Sequence, residues 1–238
     1  MLNLQDKVAI VSGCGSIGNG FGNGRAITTL LARQGAIVIG TDINEEAGKN
    51  TCEFIKKEGN NCTFHKINMT NEHDVKQFFD DVEKKYKKID ILVNVVGQSE
   101  PGGPVEIDSS TWRQQFTLNL DTAFLSIKFA IPIMEENLGG SIVNISSDLG
   151  VMAPDQRLYA KDGVEDDKQN VKPVTYSVVK TGLIGLTRYL ATYWTDKNVR
   201  CNAMCPGGVE NGQPDEFLKE VNKRIPMGRM ANADEYQG

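Results

Sequence analysis

The chain has 238 residues, of which 39% are hydrophobic and 24% charged, and its formal net charge is −5 at pH 7. This length and apolar content predict one α/β domain over residues 1–238, and the negative charge without a basic block argues against nucleic acid and membrane surfaces as partners. The first ten residues lack the features of a signal peptide, and no apolar run approaches the roughly 20 residues of a membrane span, so a cytoplasmic protein acting on a small molecule is expected.

The chain begins with a predicted strand, a glycine-rich loop and a helix. Residues 7–12 are a short β-branched run, and six glycines follow in GCGSIGNGFGNG, including Gly18. A helix is predicted from Arg25 to Ala32, stopped by Gly35. Glycines let the backbone approach a pyrophosphate, and a helix N-terminus offers free N–H groups. The residues predicted to contact a dinucleotide here are Gly13, Ser16, Gly22 and Gly24.

A second β run, residues 36–41, ends at Asp42, which lies 20 residues beyond Gly22. That spacing is typical of the carboxylate that holds a cofactor ribose hydroxyl. A carboxylate accepts a hydrogen bond from a free 2′-hydroxyl but repels a 2′-phosphate, and Thr41 and Ile43 beside it are uncharged. The predicted cofactor is therefore NAD rather than NADP, with Asp42 and Ile43 in its site.

Helices and strands continue to alternate along the rest of the chain. The predicted helices are 44–58, 71–88, a long one capped by Ser109 or Ser110 and running through Met134, and 175–195; the predicted strands are 62–67, 89–94, 141–146 and 199–204. This alternation predicts a single-domain, Rossmann-like, doubly wound parallel sheet with helices on both faces.

One of the predicted helices carries a candidate proton carrier. Tyr176 and Lys180 are four apart and so lie one turn apart on the same face of the 175–195 helix. A free phenol titrates near ~10, and a nearby cation would lower that pKa and make the tyrosine a usable acid or base. Tyr193 and Lys197 repeat the spacing but stand at the end of the apolar-periodic segment, so an ordinary helix tyrosine is expected there.

The cysteines and histidines do not indicate a metal site. The five cysteines have no Cys-x-x-Cys spacing, and His65 and His73 lie eight apart without neighbouring ligands. Reduced structural thiols and no bound metal are expected. The cysteines are Cys14, Cys52, Cys62, Cys201 and Cys205.

With these residues in place, essentially the whole chain resembles the classical short-chain dehydrogenases/reductases. The landmarks of that resemblance are the glycine loop, Asp42, Asn94 and Gly97 in NVVG, Asn119, Ser147, Tyr176, Lys180 and Pro206-Gly207. The resemblance implies hydride transfer between a nicotinamide and a secondary alcohol or ketone. It also implies further cofactor contacts by Asn68, Met69, Asn94, Gly97, Tyr176, Lys180, Pro206, Gly207 and Val209.

The resemblance assigns four catalytic roles. Tyr176 would exchange a proton with the substrate oxygen, and Ser147 would hydrogen-bond that oxygen. Lys180 would lower the tyrosine pKa and hold the nicotinamide ribose, and Asn119 would position a water. Three alternatives remain: Ser146 as the working hydroxyl, Asn119 merely bonding backbone within its helix, and Asn68 as a turn residue.

The chain departs from the family pattern in three places. The glycine loop is expanded, the 148–175 segment between serine and tyrosine is longer than usual, and the chain stops at Gly238, where relatives continue into another helix and a last strand. Insertions of this kind occur in relatives that modify bacterial surface glycans and flagellin. The insertion has donors and acceptors suited to hydroxyl groups and few large apolar residues, which predicts a polar hydroxy compound as the substrate; the relatives favour a sugar.

Within the insertion, the first half, 151–161, is expected to contact the substrate through Arg157 and Tyr159. The alternative is that the insertion is a solvated surface loop, since the stretch from Asp162 to Lys172 is very polar.

Besides an NAD-dependent dehydrogenase, the sequence allows two other functions. One is reduction of carrier-bound 3-oxoacyl chains, which would want a basic docking patch; the other is a catalytically silent NAD-binding sensor or scaffold. A homodimer or homotetramer is expected, because the 109–134 and 175–195 helices carry more apolar residues than one core-facing stripe requires.

Overall fold

A computed structural model describes residues 3–16, 20–161, 163–165, 168–233 and 235–237. Gly18 of the predicted glycine loop and Asp162 of the predicted insertion lie outside the described residues.

The described residues form an α/β domain around one parallel sheet. Its strands are β1 (Val8–Ser12), β2 (Ile37–Asp42), β3 (Cys62–Lys66), β4 (Ile91–Asn94), β5 (Gly140–Ile145) and β6 (Val199–Met204). Their spatial order is β3-β2-β1-β4-β5-β6, and every pairing is parallel. The order reverses direction between β1 and β4, which is the crevice where open α/β sheets bind ligands. The predicted doubly wound fold is confirmed.

Seven helices of the described chain connect and flank these strands. They are α1 (Asn23–Arg33), α2 (Glu45–Lys57), α3 (Glu72–Tyr86), α4 (Ser109–Phe116), α5 (Thr122–Glu136), α6 (Val174–Tyr193) and α7 (Asp215–Asn222). The last of these, α7, was not predicted from the sequence.

The core lies on both faces of the sheet. Along β1, Val8 and Ile10 pack into one apolar cluster with α3, α5 and α6, whereas Ala9 and Val11 pack into the other with α1 and α2. Alternate residues of a strand point to opposite faces, so a strand covered on both sides must be apolar throughout. This is why the strand reads as a continuous β-branched run.

The predicted helix through Met134 is interrupted. Asp108, rather than Ser109 or Ser110, is its N-cap, because the Asp108 carboxylate accepts the amides of Ser110 (2.8 Å) and Thr111 (2.9 Å). A π turn at Thr117–Asp121 then separates α4 from α5. Together, α4, the π turn and α5 (Ser109–Glu136) are long and apolar enough to span a membrane. Half of the most apolar part of this stretch is buried within the domain, as in the core helix of a globular protein.

One cysteine prediction is wrong. Cys52 on α2 and Cys62 at the start of β3 form a disulfide, with their Cα atoms 5.1 Å apart. The turn between α2 and β3 reverses the chain and brings the two side chains together, which their separation of ten residues does not indicate. Cys14 and Cys201 are buried free thiols, and Cys205 is an exposed one.

The insertion between β5 and α6 is tied to α7. The Asp155 carboxylate accepts from Arg224, just after α7, at 2.8 Å, and the rings of Tyr159 and Phe217 lie 5.9 Å apart. The short 3-10 turn Gln156–Leu158 also packs against α7. The insertion and α7 therefore form one continuous cover beside the C-terminal end of the sheet.

Candidate active site

The predicted site residues collect at the carboxyl ends of four neighbouring strands. Gly13 follows β1, Asp42 ends β2, Gly97 follows β4 and Ser147 follows β5. Because the strands are parallel, these ends share one edge of the sheet, on either side of the point where the strand order reverses.

The expanded glycine loop is closed by Ser16. Its hydroxyl donates to the Gly20 carbonyl (2.7 Å) and accepts from the Gly22 amide (2.8 Å). Gly22 is the N-cap of α1. Because glycine has no side chain, the first backbone amides of the helix have no side-chain acceptor from the N-cap residue. The loop thus ends in a helix start suited to an anion.

Two glycines of the loop allow a close backbone approach. Gly13 has φ +85°, a left-handed conformation that side chains rarely adopt. A Cβ on Gly24 would collide with the Gly13 carbonyl oxygen, so only glycine lets α1 begin against the end of β1. The predicted contact residues Gly13, Ser16, Gly22 and Gly24 therefore lie together.

Asp42 connects the loop to α2. One carboxylate oxygen accepts from the Gly15 amide and the other from the Asn44 amide, both at 2.9 Å. Each oxygen keeps a further lone pair that can accept from a hydroxyl. Ile43 beside it is 64% exposed, which leaves its side chain free to cover a flat ligand.

Three other predicted cofactor residues are engaged within the protein. Asn94 donates to the Asn144 side chain (2.9 Å), across the β4–β5 pair. Asn68 accepts from the Thr70 amide (3.1 Å), the turn geometry named as the alternative for that residue. The Met69 side chain is buried in the core.

The loop after β6 closes the other side of the crevice. The Pro206 carbonyl accepts from the Asp148 amide (2.9 Å), and the Gly207 carbonyl accepts from the Tyr236 hydroxyl (3.4 Å). Val209, half-buried, pairs by an isolated bridge with Ala231. These contacts fix the Pro206-Gly207 turn against the end of β5.

Tyr176 lies in the first turn of α6, beside Ser147 at the end of β5. Burial raises the pKa of Tyr176, hydrogen bonding with the Ser147 side chain lowers it, and the Asp148 carboxylate raises it further. The Ser147 hydroxyl also donates to Asp148 (2.8 Å). The net pKa shift is upward, because burial disfavours the phenolate more than the hydrogen bond favours it.

The two serines at the end of β5 have different partners. The Ser146 hydroxyl is buried and donates to the Lys180 carbonyl (2.7 Å), which joins β5 to α6. The Ser147 side chain instead lies beside Tyr176, where it lowers the pKa of the phenol. The geometry therefore places Ser147, and not Ser146, beside the candidate proton carrier.

Lys180 is buried, with its ammonium donating to the Ile145 carbonyl (2.9 Å) and lying 5.8 Å from the centre of the Tyr176 ring. Burial lowers the pKa of Lys180 to about 8. The expected lowering of the Tyr176 pKa by Lys180 does not appear: the tyrosine pKa is raised, because burial dominates.

Asn119 lies in the π turn between α4 and α5, where the helix ladder is interrupted. Its amide donates to the carbonyls of Gln115 and Gln98, both at 2.8 Å, and its oxygen accepts from the Gln98 amide (3.1 Å). A Cβ on Gly97 would lie 2.9 Å from the Asn119 oxygen and 3.3 Å from the Lys180 ammonium. Asn119 thus fixes the backbone after β4 and faces the same small space as Lys180.

The two predicted substrate residues have different surroundings. Arg157 forms an ion pair with Asp155 at 2.8 Å, and its side chain is 82% exposed. Tyr159 is half-buried, and burial, Asp148 and Tyr176 together raise its pKa. Of the two, Tyr159 is the one that the structure brings to the reacting centre.

Two charged residues of the site were not singled out from the sequence. Asp148 directly follows Ser147, a position that could have drawn attention. Lys172 belongs to the half of the insertion for which no binding role was expected, yet its ammonium lies 4.2 Å from the centre of the Tyr176 ring. Helical spacing does not give that contact, because Lys172 and Pro173 precede the first residue of α6, Val174.

A nicotinamide dinucleotide fits these residues. The glycine loop leaves no room for side chains between β1 and α1. Asp42 has lone pairs for a ribose hydroxyl at the expected end of β2, and the Lys180 ammonium has donors beyond its bond to Ile145. The missing Cβ of Gly97 leaves the space beside Asn119 and Lys180 open.

Comparisons with known proteins give one family. Residues 17–238 match the family model described as enoyl-(acyl carrier protein) reductase. An uncharacterised oxidoreductase of Thermotoga maritima is 32% identical over 98% of this chain and 88% of its own. The 7alpha-hydroxysteroid dehydrogenase of Paraclostridium sordellii is 32% identical over 99% and 83%.

Two further comparisons add a second named activity and a solved structure. The 3-oxoacyl-[acyl-carrier-protein] reductase FabG of Thermotoga maritima is 30% identical over 98% of this chain and 88% of its own. A Burkholderia xenovorans crystal structure, described as a short-chain dehydrogenase/reductase, superimposes with a TM-score of 0.87 at 36% identity, over 98% and 87% of the two chains.

Proposed function

The chain belongs to the classical short-chain dehydrogenase/reductase family of nicotinamide-dependent oxidoreductases, and from that premise we propose that it interconverts a secondary alcohol and a ketone with a preference for NAD. The observation that carries the proposal is the meeting of Ser147, Tyr176 and Lys180 at the strand ends beside the glycine loop.

The bound nicotinamide would supply or accept the hydride. In ketone reduction, Tyr176 donates its proton to the substrate oxygen, and its raised pKa keeps that proton in place at neutral pH. Ser147 donates a hydrogen bond to the same oxygen, for which its hydroxyl turns from Asp148. In alcohol oxidation the proton moves the other way, from the substrate hydroxyl to the Tyr176 oxygen.

Lys180 and Asn119 assist this proton exchange without donating to the substrate oxygen themselves. The positive charge of Lys180 favours the phenolate that forms when Tyr176 gives up its proton. Its remaining donors face the space beside Gly97, where they would hold the nicotinamide ribose. Asn119 keeps the Gly97-Gln98 backbone in place and, in our proposal, orients a water between Lys180 and solvent.

The NAD preference rests on Asp42. Its carboxylate accepts two amides and lies where a ribose 2′-hydroxyl would donate. A 2′-phosphate at that point would meet a negative charge. Calorimetric titration should therefore give tighter binding for NAD than for NADP, and the reverse order would sink this part of the proposal.

We propose a polar hydroxy compound, such as a sugar or sugar derivative, as the substrate. The cover over the site contributes polar atoms from Tyr159, Lys172 and Asp148 around Tyr176. The likeness of the insertion to those of surface-glycan and flagellin-modifying relatives supports the same substrate class. Carrier-bound 3-oxoacyl chains are the second candidate, favoured by the similarity to FabG.

A substrate panel with a matched pair of variants tests the function. Purified protein is assayed by NADH absorbance against sugars, polyols, steroids and 3-oxoacyl thioesters. Tyr176→Phe should lower turnover by about 10²–10⁴-fold while NAD still binds, because it keeps the ring and removes only the hydroxyl group with its exchangeable proton. Tyr193→Phe is the control, since Tyr193 is exposed and stacks only on its helix neighbours. Equal losses in both variants would mean that Tyr176 is the wrong tyrosine.

We further propose a cytoplasmic enzyme that works as a homodimer or homotetramer on a small molecule, without nucleic acid or membrane partners. The acidic net charge supports the absence of polyanionic partners. Apolar side chains left exposed on α5 and α6 support the oligomer.

A further inference from the structure

We propose that Lys172 binds an anionic group, a carboxylate or a phosphate, on the substrate. The inference rests on the proposed oxidoreductase function and narrows its substrate from a polar hydroxy compound to an acidic one, such as a sugar acid or a sugar phosphate.

The first argument is where the ammonium lies. Its nitrogen is 4.2 Å from the centre of the Tyr176 ring, closer than the 5.8 Å of Lys180. The two lysines reach Tyr176 from different elements, because Lys172 belongs to the insertion and Lys180 to α6. A substrate whose oxygen is bound by Tyr176 and Ser147 would therefore have a second cation within reach of its other groups.

The second argument is that the Lys172 backbone is held in place. Its amide donates to the Gln156 side chain (2.8 Å), and its carbonyl accepts from the same side chain at 3.5 Å. Pro173 follows and restricts the backbone before α6 begins. The clamped backbone, together with the position of the ammonium over the Tyr176 ring, limits where this side chain can lie.

The third argument is the missing counter-ion. Among the described residues no carboxylate lies within ion-pair distance of Lys172, although Lys168 of the same insertion pairs with Glu165. Burial lowers the pKa of Lys172, and Asp148 opposes that shift only from a distance. A partly buried cation without a paired anion is unfavourable unless a ligand supplies one.

Asp148 does not fill this role, because its carboxylate is directed elsewhere. One oxygen accepts from the Ser147 hydroxyl (2.8 Å) and the Leu149 amide (2.7 Å). The other lies on the side of Gly207, 3.7 Å from where a Cβ on that residue would stand. Tyr159, which is influenced by the same Asp148 and by Tyr176, presents a hydroxyl whose raised pKa keeps it protonated as a second donor.

The experiment measures binding of matched neutral and acidic probes. NADH-loaded protein is titrated calorimetrically with galactose, galacturonate and glucose 6-phosphate at millimolar concentrations. Wild type should bind one or both acidic probes at least about tenfold more tightly than galactose. Lys172→Met keeps an unbranched apolar side chain but removes the charge, so it should lose that preference, whereas Lys172→Arg should retain it.

Lys168→Met is the matched control, because Lys168 is an exposed lysine of the same insertion that already has its own carboxylate. It should leave all three affinities unchanged. Thermal melting confirms that each variant is folded, and Lys172→Gln repeats the test if Lys172→Met is not. The comparison of galacturonate with glucose 6-phosphate identifies which anion the site prefers.

Two outcomes overturn the inference: no preference for either acidic probe in wild type, or a preference that survives in Lys172→Met. Either result leaves the proposed function standing if the substrate panel gives turnover. Conversely, acid binding that depends on Lys172, without oxidoreduction of any panel member, would keep the anion site and reject the proposed function.

Discussion

At the reacting centre, burial shifts two proton affinities in opposite directions. It raises the pKa of Tyr176 above its usual value of 10.0 and lowers that of Lys180 to about 8. Both shifts disfavour the charged form, since a low-dielectric surrounding solvates charges poorly. At neutral pH the site therefore holds a protonated phenol beside an ammonium that is still charged.

These shifts predict the pH dependence of ketone reduction. The reaction needs protonated Tyr176, which persists above pH 10, and charged Lys180, which is lost as pH rises through about 8. The kcat/KM for reduction should thus be level below pH 8 and fall above it. Lys180→Arg keeps its charge at high pH, so a folded variant with residual activity should show the fall at higher pH. An unchanged limb in that variant would assign it to another group.

Among the elements, the insertion and α7 act on the site together. Asp155 bridges Arg157 and Arg224, and the Tyr159 ring rests on Phe217. Both ends of the insertion are thus attached at the reacting centre, beside Ser147 and Tyr176, and its middle is attached to α7. Such a cover positions substrate-binding side chains better than a free loop would.

Alanine variants of the insertion separate its two predicted substrate residues. Replacing Arg157 and Tyr159 together should raise the substrate KM by about tenfold and leave NAD affinity unchanged, because these side chains contact Asp155 and Phe217 rather than residues of the predicted cofactor site. Tyr159→Ala alone should account for most of the effect, since Arg157 is largely exposed and paired with Asp155. The prediction is falsified if both constants stay at wild-type values in the double variant.

The disulfide joins two elements that flank β2, the strand that ends at Asp42. Cys52 lies on α2, the helix that follows Asp42, and Cys62 begins β3, where it pairs with Val38 of β2. A bridge over so short a loop stabilises a protein by on the order of 2–4 kcal/mol through the unfolded state.

Thiol counting tests this bridge. Unfolded without reductant, the purified protein should titrate three free thiols rather than five. A reducing agent should raise the count to five and lower the Tm. Cys205→Ser serves as the control, because this exposed thiol has no disulfide partner and its loss should leave the Tm unchanged. Five thiols before reduction would contradict the bridge.

At the scale of the whole molecule, the exposed apolar side chains of α5 and α6 are the candidates for contact with a partner subunit. Many of the apolar residues that the sequence suggested for such a contact are instead buried in the core of this chain, namely Leu125, Ile127, Leu183, Ile184 and Leu190. The side chains still exposed on α5 and α6 are fewer. They include Phe124 (49%), Val178 (38%), Tyr189 (63%) and Tyr193 (58%).

Light scattering should show a dimer or tetramer at micromolar concentration. Phe124→Asp places a charge on the exposed face of α5 and should shift the protein towards smaller species, because burying an unpaired carboxylate is unfavourable. Val105→Asp, at a loop residue that is 87% exposed, is the control and should leave the mass unchanged. A wild-type monomer would refute the oligomer.

The sequence by itself determined the fold and the order of the landmarks. Buried strands such as β1 must be apolar on both faces, and glycines such as Gly13 and Gly24 are required where the backbone approaches itself. These constraints act on residues close together in the chain, so the sequence pattern predicts them directly. The Tyr176–Lys180 spacing is another, since one helical turn sets it.

The tertiary structure decided what depends on residues far apart in the chain. Ser146 and Ser147 are neighbours, yet their roles differ because only one faces Tyr176. The raised pKa of Tyr176 depends on burial, which spacing to Lys180 does not reveal. The Cys52–Cys62 bridge and the place of Lys172 over Tyr176 depend on how turns and the insertion fold back. These contacts form between segments that are far apart in the chain, so a pattern of neighbouring residues does not predict them.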